Sequence, residues 1–306
     1  MARRPGSASP EPPPLPSVFL ACDHEHATVV ARVRHGTWQR VTRGAYVAEP
    51  TTTSVRALAT MKGIHERLTA PHWFSHESAA VAWGLPTWRT PRVTHIRQGS
   101  RPSSRRDPRV LRHGGFVDPD LLTTVHGLPV TGLTLTLVDC ARTLPALDAL
   151  VVADAALRAG ADLGDALAML GSLRGHAGVA RARGVIELAD EGAESAGETA
   201  TRFVLLRDGL PRPQTQIPVV TRLGTFWGDL GWEEWKLLVE YDGRPKYRST
   251  EDLIREKRRQ DALVEMGWRT VRVVKEDLRA SAQLRARVRR LLPGDVRLVR
   301  RPCLVG

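Results

Sequence analysis

The order of predicted secondary-structure elements after residue 180 constrains the fold of this chain more than any other feature. Residues 180–207 form a long helical stretch that ends at an Asp-Gly pair followed by proline, a normal helix C-terminus. Three β-prone runs follow at 214–220, 225–232 and 236–241, then a helix at 250–266, a strand at 268–274 and a helix at 281–292. This order predicts a small α/β unit with a mixed sheet.

The rest of the chain is long enough for a second domain. A chain of 306 residues, 42% of them apolar, accommodates about two globular domains, and we place their boundary near residue 180. The predicted class is α+β. The predicted segments are a disordered tail with six prolines at 1–17, a helix-strand-turn-strand segment at 18–50, a mixed α/β domain at 51–180, the α/β unit at 181–293 and a basic tail at 294–306.

The charge of the chain favours a polyanionic partner. A net charge of +12 and a pI near 10.6 point first to nucleic acid and second to an anionic membrane surface. The excess is regional, because residues 86–113 carry +7 and residues 269–306 carry +8. Either block by itself is equally typical of a solvated loop or helix face.

Cysteine usage and the N-terminus predict a protein of the reduced cytoplasm. Cys22, Cys140 and Cys303 are odd in number and far apart, unlike a disulfide framework or a zinc knuckle. The proline-rich N-terminus lacks the apolar segment of a signal peptide. The uncharged stretch at 121–138 is interrupted by Gly, Pro, His and Thr, so we do not interpret it as a membrane span.

Three carboxylates are predicted to converge on the C-terminal sheet. Glu240 and Asp242 leave one face of an apolar strand, with Cα atoms roughly 6.6 Å apart. Asp229 lies on the preceding strand of a predicted hairpin, and three acids together suit Mg²⁺. Lys246 follows in the next loop and could touch a phosphate or polarise a water molecule. The alternative is that both aspartates are turn residues and that Glu240 pairs with a helix arginine.

The C-terminal stretch resembles the Vsr-like (very-short-patch-repair endonuclease-like) branch of the PD-(D/E)xK nuclease superfamily. The matching motifs are AESAGET at 193–199 with Arg202, GDLGW at 228–232, VEYDGRPKY at 239–247, EKRRQDAL at 256–263 and GWRTVR at 267–272. The resemblance covers roughly a hundred residues, about 193–292, and implies a restriction-endonuclease-like fold.

That resemblance also implies the chemistry of the site. Asp229 and Glu240 would hold Mg²⁺ (or Mn²⁺), and Glu198 would complete the metal site. The metal would activate water and stabilise charge on the phosphate, while Lys246 or Asp242 would position the water. The sequence departs from the superfamily pattern at Asp242, which stands where ExK normally has Lys. For Glu198, a surface ion pair with Arg202 one helical turn away is an equally weighted alternative.

The N-terminal segment resembles AbiEi-family type IV antitoxins. HGTWQRVTRGAYV at 35–47 is similar to their winged-helix end, and SHESAA at 75–80 with WGLP at 83–86 is similar to the start of their second domain. The resemblance implies that Arg32, Arg34, Arg40 and Arg43 contact DNA phosphates; ordinary surface charge is the alternative reading. HE pairs at His65 and His76 lack the second histidine of HExxH, so the sequence does not indicate a zinc protease.

Two functions follow from these patterns. The first is a Mg²⁺-dependent DNA endonuclease of repair or defence that hydrolyses phosphodiester bonds. The second is a non-catalytic antitoxin-like transcriptional regulator that binds DNA and has a cognate toxin as partner.

Overall fold

The computed structural model describes residues 9–48, 52–99, 107–243 and 250–305. Within these ranges the chain mixes helices with three β-sheets, which confirms the α+β class. Lys246 lies outside the described residues, so its predicted role stays a prediction. No helix in the described ranges combines the length and the apolar character needed to cross a bilayer.

The N-terminal part is a small antiparallel sheet covered by a helix. Its elements are β1 (Phe19–Leu20), α1 (His26–Arg34), β2 (Gln39–Thr42), β3 (Ala45–Val47) and α2 (Thr53–His65), with strand order β1-β3-β2. Ala59 of α2 packs against Val41, Ala45 and Val47 of this sheet. The Thr52 hydroxyl caps α2 by accepting a hydrogen bond from the Val55 N–H.

Residues 9–17 belong to the proline-rich tail for which the sequence predicts disorder. They form no helix or strand, yet they lie against the body of the protein. The Ser9 hydroxyl donates to the Arg158 carbonyl at 3.1 Å, and His126 contacts the Pro12 carbonyl at 3.1 Å. Proline limits the entropy of the unfolded chain, so a few such contacts hold the segment in place.

The middle part is a mixed five-stranded sheet followed by four helices. Its strands and first helix are β4 (Trp73–Phe74), α3 (His76–Ala82), β5 (Thr94–Gln98), β6 (Val110–Gly114), β7 (Leu122–Val125) and β8 (Leu128–Thr131), in strand order β6-β5-β4-β8-β7. The helices that follow are α4 (Leu133–Thr143), α5 (Ala146–Arg158), α6 (Leu163–Ser172) and α7 (Val179–Leu188). Pro145 separates α4 from α5.

The C-terminal part contains the predicted mixed sheet. Its elements are α8 (Ala196–Arg207), β9 (Gln214–Thr221), β10 (Gly224–Trp232), β11 (Leu237–Tyr241), α9 (Thr250–Glu265), β12 (Arg269–Val273), α10 (Lys275–Arg279) and α11 (Ser281–Arg289). The strand order is β12-β11-β10-β9; β9, β10 and β11 are antiparallel neighbours, and β12 runs parallel to β11.

The predicted single helix at 180–207 is wrong, because the chain leaves helical geometry at 189–195. There Asp190 accepts hydrogen bonds from the Gly192 N–H at 3.0 Å and the Thr215 hydroxyl at 2.7 Å. Ser195 then caps the new helix by accepting from the Glu198 N–H at 3.2 Å. The break turns α8 onto the C-terminal sheet.

One hydrophobic core runs through the helices of the middle part and the C-terminal sheet. Its members include Leu150, Ile186, Leu205 and Val239, so apolar packing is continuous across residue 180. A fully buried ion pair also crosses that position: the Arg202 guanidinium of α8 holds both oxygens of Asp154 of α5, at 2.6 and 2.7 Å. The predicted surface pair between Glu198 and Arg202 is therefore wrong, since α5 supplies the partner.

Candidate functional site

Asp229 and Glu240 lie on the neighbouring strands β10 and β11. The antiparallel pairing of these strands has Leu230 opposite Val239, so Asp229 precedes the paired stretch of β10 and Glu240 follows the paired stretch of β11. Asp229 is also anchored to the backbone, because its Oδ2 accepts a hydrogen bond from the Tyr241 N–H at 2.9 Å.

Glu198 reaches this place from the first turn of α8. Its carboxylate accepts hydrogen bonds from the Glu194 N–H at 2.8 Å and from the Ser195 hydroxyl at 2.9 Å. Gly197 allows the close approach, because a Cβ there would lie 1.9 Å from the Tyr241 ring. Burial first, and the neighbouring charge of Asp229 second, raise the pKa of Glu198 to about 7. Glu198 and Asp229 therefore lie close to each other at a position that water reaches poorly.

Glu240 is held by an arginine of helix α9. Arg259 contacts both of its carboxylate oxygens, one of them at 3.2 Å through Nη1. The same guanidinium lies 3.5 Å from Glu256 and 5.6 Å from the centre of the Phe226 ring. The alternative prediction from the sequence, that Glu240 pairs with a helix arginine, is therefore confirmed.

Asp242 lies directly after β11, at the end of the same sheet. Its N–H donates to the Val273 carbonyl of β12 at 2.8 Å, so the backbone continues the strand pairing by one residue. Its side chain is half-buried. Asp242 therefore stands near the metal candidates, and its predicted role in positioning water stays a prediction.

The carboxylates match Mg²⁺ or Mn²⁺ in chemistry but do not form a closed shell. Oxygen donors are the ligands that Mg²⁺ prefers, and two oxygens on one ion are at most about 4.2 Å apart. Among the described residues, Glu198, Asp229 and Glu240 are not a set whose ligand atoms all lie within 4.8 Å of one another. An ion could therefore contact at most two of them directly, which still suits an ion that retains water.

The arginines predicted to contact DNA are on the surface. Arg32 and Arg34 lie on α1, Arg40 on β2 and Arg43 in the following turn, and all four are exposed. Arg40 donates to the Thr42 carbonyl at 3.2 Å. They form an accessible basic surface.

Part of the basic C-terminal end has a structural task. Arg301 donates to the carbonyl of Leu206 in the last turn of α8 at 2.8 Å and to the carbonyl of Leu210 beyond the helix at 2.9 Å. Arg289 donates to two carbonyls of the loop that follows α11. A cation at a helix C-terminus satisfies carbonyls and complements the helix dipole. These two arginines are therefore committed to the fold.

The sequence analysis missed a histidine cluster in the middle part of the chain. His76 of α3, His95 of β5 and His113 of β6 each place one ring nitrogen within 4.8 Å of the others'. His76 and His113 border a cavity of about 770 Å³ whose lining includes Arg97, Arg112, Arg142 and Asp139. A motif search along one helix could not find the cluster, because three separate elements supply it. The sequence offered one indication of the cluster: His95 and His113 lie on β-prone runs, and His76 lies on the nearby helix α3.

Comparison with known proteins identifies relatives without assigning a function. No protein-family model matches the sequence. Two Mycobacterium tuberculosis proteins, uncharacterized protein MT2308 of strain CDC 1551 / Oshkosh and uncharacterized protein Rv2248 of strain ATCC 25618 / H37Rv, are each 35% identical to the chain over 177 residues. The match spans 56% of this chain and 64% of each relative, which is less than two thirds of their length.

One solved structure resembles part of the chain. It is the crystal structure of the Rv2827c protein from Mycobacterium tuberculosis, with 17% sequence identity and a TM-score of 0.37. The similarity covers 56% of this chain and 71% of that one. A score this low does not identify a shared fold.

Proposed function

We propose that this chain is a Mg²⁺- or Mn²⁺-dependent DNA endonuclease with a Vsr-like PD-(D/E)xK unit at its C-terminal end. The observation that carries the proposal is the meeting of three acids from three elements. Asp229 and Glu240 lie on adjacent strands, and Glu198 adds a carboxyl whose pKa is raised to about 7 by burial and by Asp229. Such repulsion is typical of a site that a cation completes.

The arrangement of elements supports a restriction-endonuclease-like unit. A helix is followed by three antiparallel strands, a second helix and a strand parallel to the third, which is the order α8, β9, β10, β11, α9, β12. The acids occupy the two central strands, β10 and β11, and the first helix. This matches the resemblance drawn from the sequence motifs.

The residues of the chain would divide the work of phosphodiester hydrolysis. A bound divalent ion would supply water activation and stabilisation of charge on the phosphate. Glu198, Asp229 and Glu240 would supply the carboxylates for that ion, two of them directly and the third through a retained water. Arg259 keeps Glu240 oriented through contacts to both carboxylate oxygens. Asp242 and Lys246 would position the attacking water from the segment after β11.

DNA is the substrate that fits the charge of the surface. The chain carries +12, and Arg32, Arg34, Arg40 and Arg43 lie exposed on the N-terminal unit. The three-stranded sheet β1-β3-β2 with α1 and α2 supports a winged-helix-like segment there. Phosphate contacts from such a unit would provide affinity without sequence preference.

A second function, binding of DNA without cleavage, is favoured by one specific contact. Arg259 occupies both oxygens of Glu240, so a cation must share that carboxylate with a guanidinium. Asp242 in place of the usual Lys points the same way. In that case the chain would be an AbiEi-like antitoxin or transcriptional regulator, with a cognate toxin as its partner.

Cleavage by matched variants separates the two functions. Wild type, Asp229→Asn and Glu234→Gln are incubated with supercoiled plasmid and with matched and mismatched duplexes, in Mg²⁺, Mn²⁺ or EDTA. Glu234 is an exposed acid at the other end of the same hairpin, so its variant removes one charge away from the site.

We expect wild type and Glu234→Gln to cut DNA only with a metal, and Asp229→Asn to lose at least 100-fold in rate. No cleavage by wild type on any substrate, or equal cleavage by Asp229→Asn, would refute an endonuclease. DNA binding that persists in EDTA without any cleavage would support the regulator instead.

A further inference from the structure

The histidine cluster lies on three elements of the middle part, none of which carries Glu198, Asp229 or Glu240. His95 and His113 sit on the parallel strands β5 and β6, two steps apart in their register. His76 opens α3 with a left-handed backbone, at φ 53°. Such a conformation is unfavourable for a non-glycine residue and persists only where the surroundings enforce it. The chain therefore holds His76 in its place against a local preference.

Two of the imidazoles already have the spacing of metal ligands. The Nδ1 atom of His95 and the Nε2 atom of His113 are 3.0 Å apart. Two nitrogens bound to a tetrahedral zinc ion at 2.0–2.1 Å are about 3.3 Å apart. The ring planes are nearly parallel, with 10° between them, and in the metal-free protein one of these two nitrogens donates a hydrogen bond to the other. A bound ion would replace the proton between them, and the rings would have to rotate to admit it.

The third imidazole covers the pair. The His76 ring stacks on His113 with centroids 3.9 Å apart. Its Nδ1 is engaged by the Ser75 hydroxyl at 2.9 Å, which leaves Nε2 for a ligand. Because stacked rings direct their lone pairs in parallel, binding requires this ring to turn out of the stack towards the other two nitrogens.

The outward nitrogens of two rings face carboxylates. His95 Nε2 is 3.7 Å from Glu77, and His76 Nδ1 is 3.6 Å from Asp139. Metal-bound histidines typically direct their second nitrogen at a carboxylate or carbonyl, which fixes the tautomer and strengthens the ligand. His76 and His95 both have a carboxylate beside the nitrogen that would not bind the metal.

The rings are also in the form that binds metals. Burial, followed by the neighbouring imidazoles, lowers the pKa of His76 to about 2 and that of His95 to about 4, and burial lowers that of His113. Neutral imidazole keeps the lone pair that a metal needs. Arg97, which lines the same cavity, is paired with Asp139 through two of its nitrogens.

We propose that His76, His95 and His113 form a three-histidine site for a divalent transition metal of the zinc class. Its ligands are His76 Nε2, His95 Nδ1 and His113 Nε2, with Asp139 and Glu77 behind two of the rings. Three imidazoles from rigid elements leave a fourth coordination position, which opens on the cavity bordered by His76 and His113. This site is separate from the carboxylates, so it stands or falls independently of the proposed endonuclease.

Titration of the untagged, EDTA-treated full chain with Zn²⁺ and Co²⁺ tests the site. The variants are His95→Gln, His113→Gln and Glu77→Gln. The control is His65→Gln, which breaks the other close imidazole pair, His65 Nδ1 to His72 Nε2 at 3.1 Å. We expect one tight Zn²⁺ equivalent in wild type and in the control, measured by calorimetry, and visible Co²⁺ absorption bands of a four-coordinate site.

The expected losses follow from the assigned roles. His95→Gln and His113→Gln should weaken Zn²⁺ binding by more than about 100-fold, and Glu77→Gln by about 10–100-fold. Wild-type ¹⁵N spectra of the imidazoles should show three histidines shifting with one equivalent of Zn²⁺, a measurement that needs no variant to fold. Three results would overturn the site: no shift in the signals of these three rings, no tight Zn²⁺ binding by wild type, or equal Zn²⁺ binding by His113→Gln and the control.

Discussion

Replacement of Glu198 by glutamine should stabilise the metal-free protein at alkaline pH. The carboxyl is 8% exposed and lies near Asp229, and its pKa is raised from 4.5 to about 7. A folded-state pKa above the unfolded one means that the protein favours the neutral acid. The contribution of Glu198 to stability is therefore fully present below pH 4.5 and is lost as pH rises through about 7.

The size of the effect follows from that shift. A difference of roughly 2.5 pKa units corresponds to about 3 kcal/mol once the carboxyl is fully ionised. Glutamine keeps one acceptor oxygen for the Glu194 N–H and the Ser195 hydroxyl, so one hydrogen bond worth about 1 kcal/mol is lost. The variant should be more stable than wild type by about 2 kcal/mol near pH 8.5 and about equal to it near pH 5.

Urea unfolding followed by tryptophan fluorescence, in EDTA, measures this difference. Unfolding free energies of wild type, Glu198→Gln and Glu234→Gln are compared at about pH 5, 7 and 8.5. The exposed Glu234 control should track wild type at every pH. A constant difference between Glu198→Gln and wild type across this range would refute the assignment of a raised pKa to Glu198. Mg²⁺ at pH 8.5 should stabilise wild type and leave Glu198→Gln unchanged if the carboxylate binds the ion.

Three further variants test the packing around the site. Asp154→Asn should lose about 3–5 kcal/mol of stability, because it leaves a fully buried guanidinium without its anion. The control Glu265→Gln, at an exposed ion pair, should leave the urea midpoint unchanged. Similar losses in both variants would contradict the argument from burial. Gly197→Ala should cost about 1–3 kcal/mol, since its Cβ would meet a tyrosine ring on β11. The matched Gly171→Ala in α6, where a Cβ meets nothing within 4 Å, should be neutral or stabilising by up to about 1 kcal/mol, and the same midpoint shift in both would rule out steric contact. Arg259→Met should lower stability by about 2 kcal/mol, because its partner, the Glu240 carboxylate, is nearly buried. Mg²⁺ bound at Glu240 should restore part of this loss in thermal melts. If Mg²⁺ restores none of it, no cation binds at that carboxylate.

The sequence predicts the C-terminal elements closely. The strands expected at 214–220 and 225–232 occur at Gln214–Thr221 and Gly224–Trp232, and the helix expected at 250–266 occurs at Thr250–Glu265. These elements have apolar patterns of the right period and clear stop signals, such as the glycine after α9. The helix break at 189–195 was missed, because it depends on Asp190 bonding to Thr215, a residue distant in sequence.

Partner choice between charged side chains was less predictable. The spacing of Glu198 and Arg202 predicts an ion pair one helical turn apart. In the structure Arg202 forms its ion pair with Asp154 instead. The Arg-rich block at 86–113 had no assigned role, yet Arg97 and Arg112 border the histidine cavity and Arg97 binds Asp139. Long side chains reach whichever opposite charge the tertiary packing brings near, and periodicity carries no information about that.

The sequence by itself determined the α+β class, the order of elements in the C-terminal sheet and the strands on which Asp229 and Glu240 stand. These features arise from hydrophobic periods and turn residues, which act over a few neighbouring positions. Only the tertiary structure decided that α8 brings Glu198 beside Asp229, that Arg259 holds Glu240, and that His76, His95 and His113 meet. Those arrangements join residues tens of positions apart, so the packing of separate elements, and no local pattern, brings their side chains together.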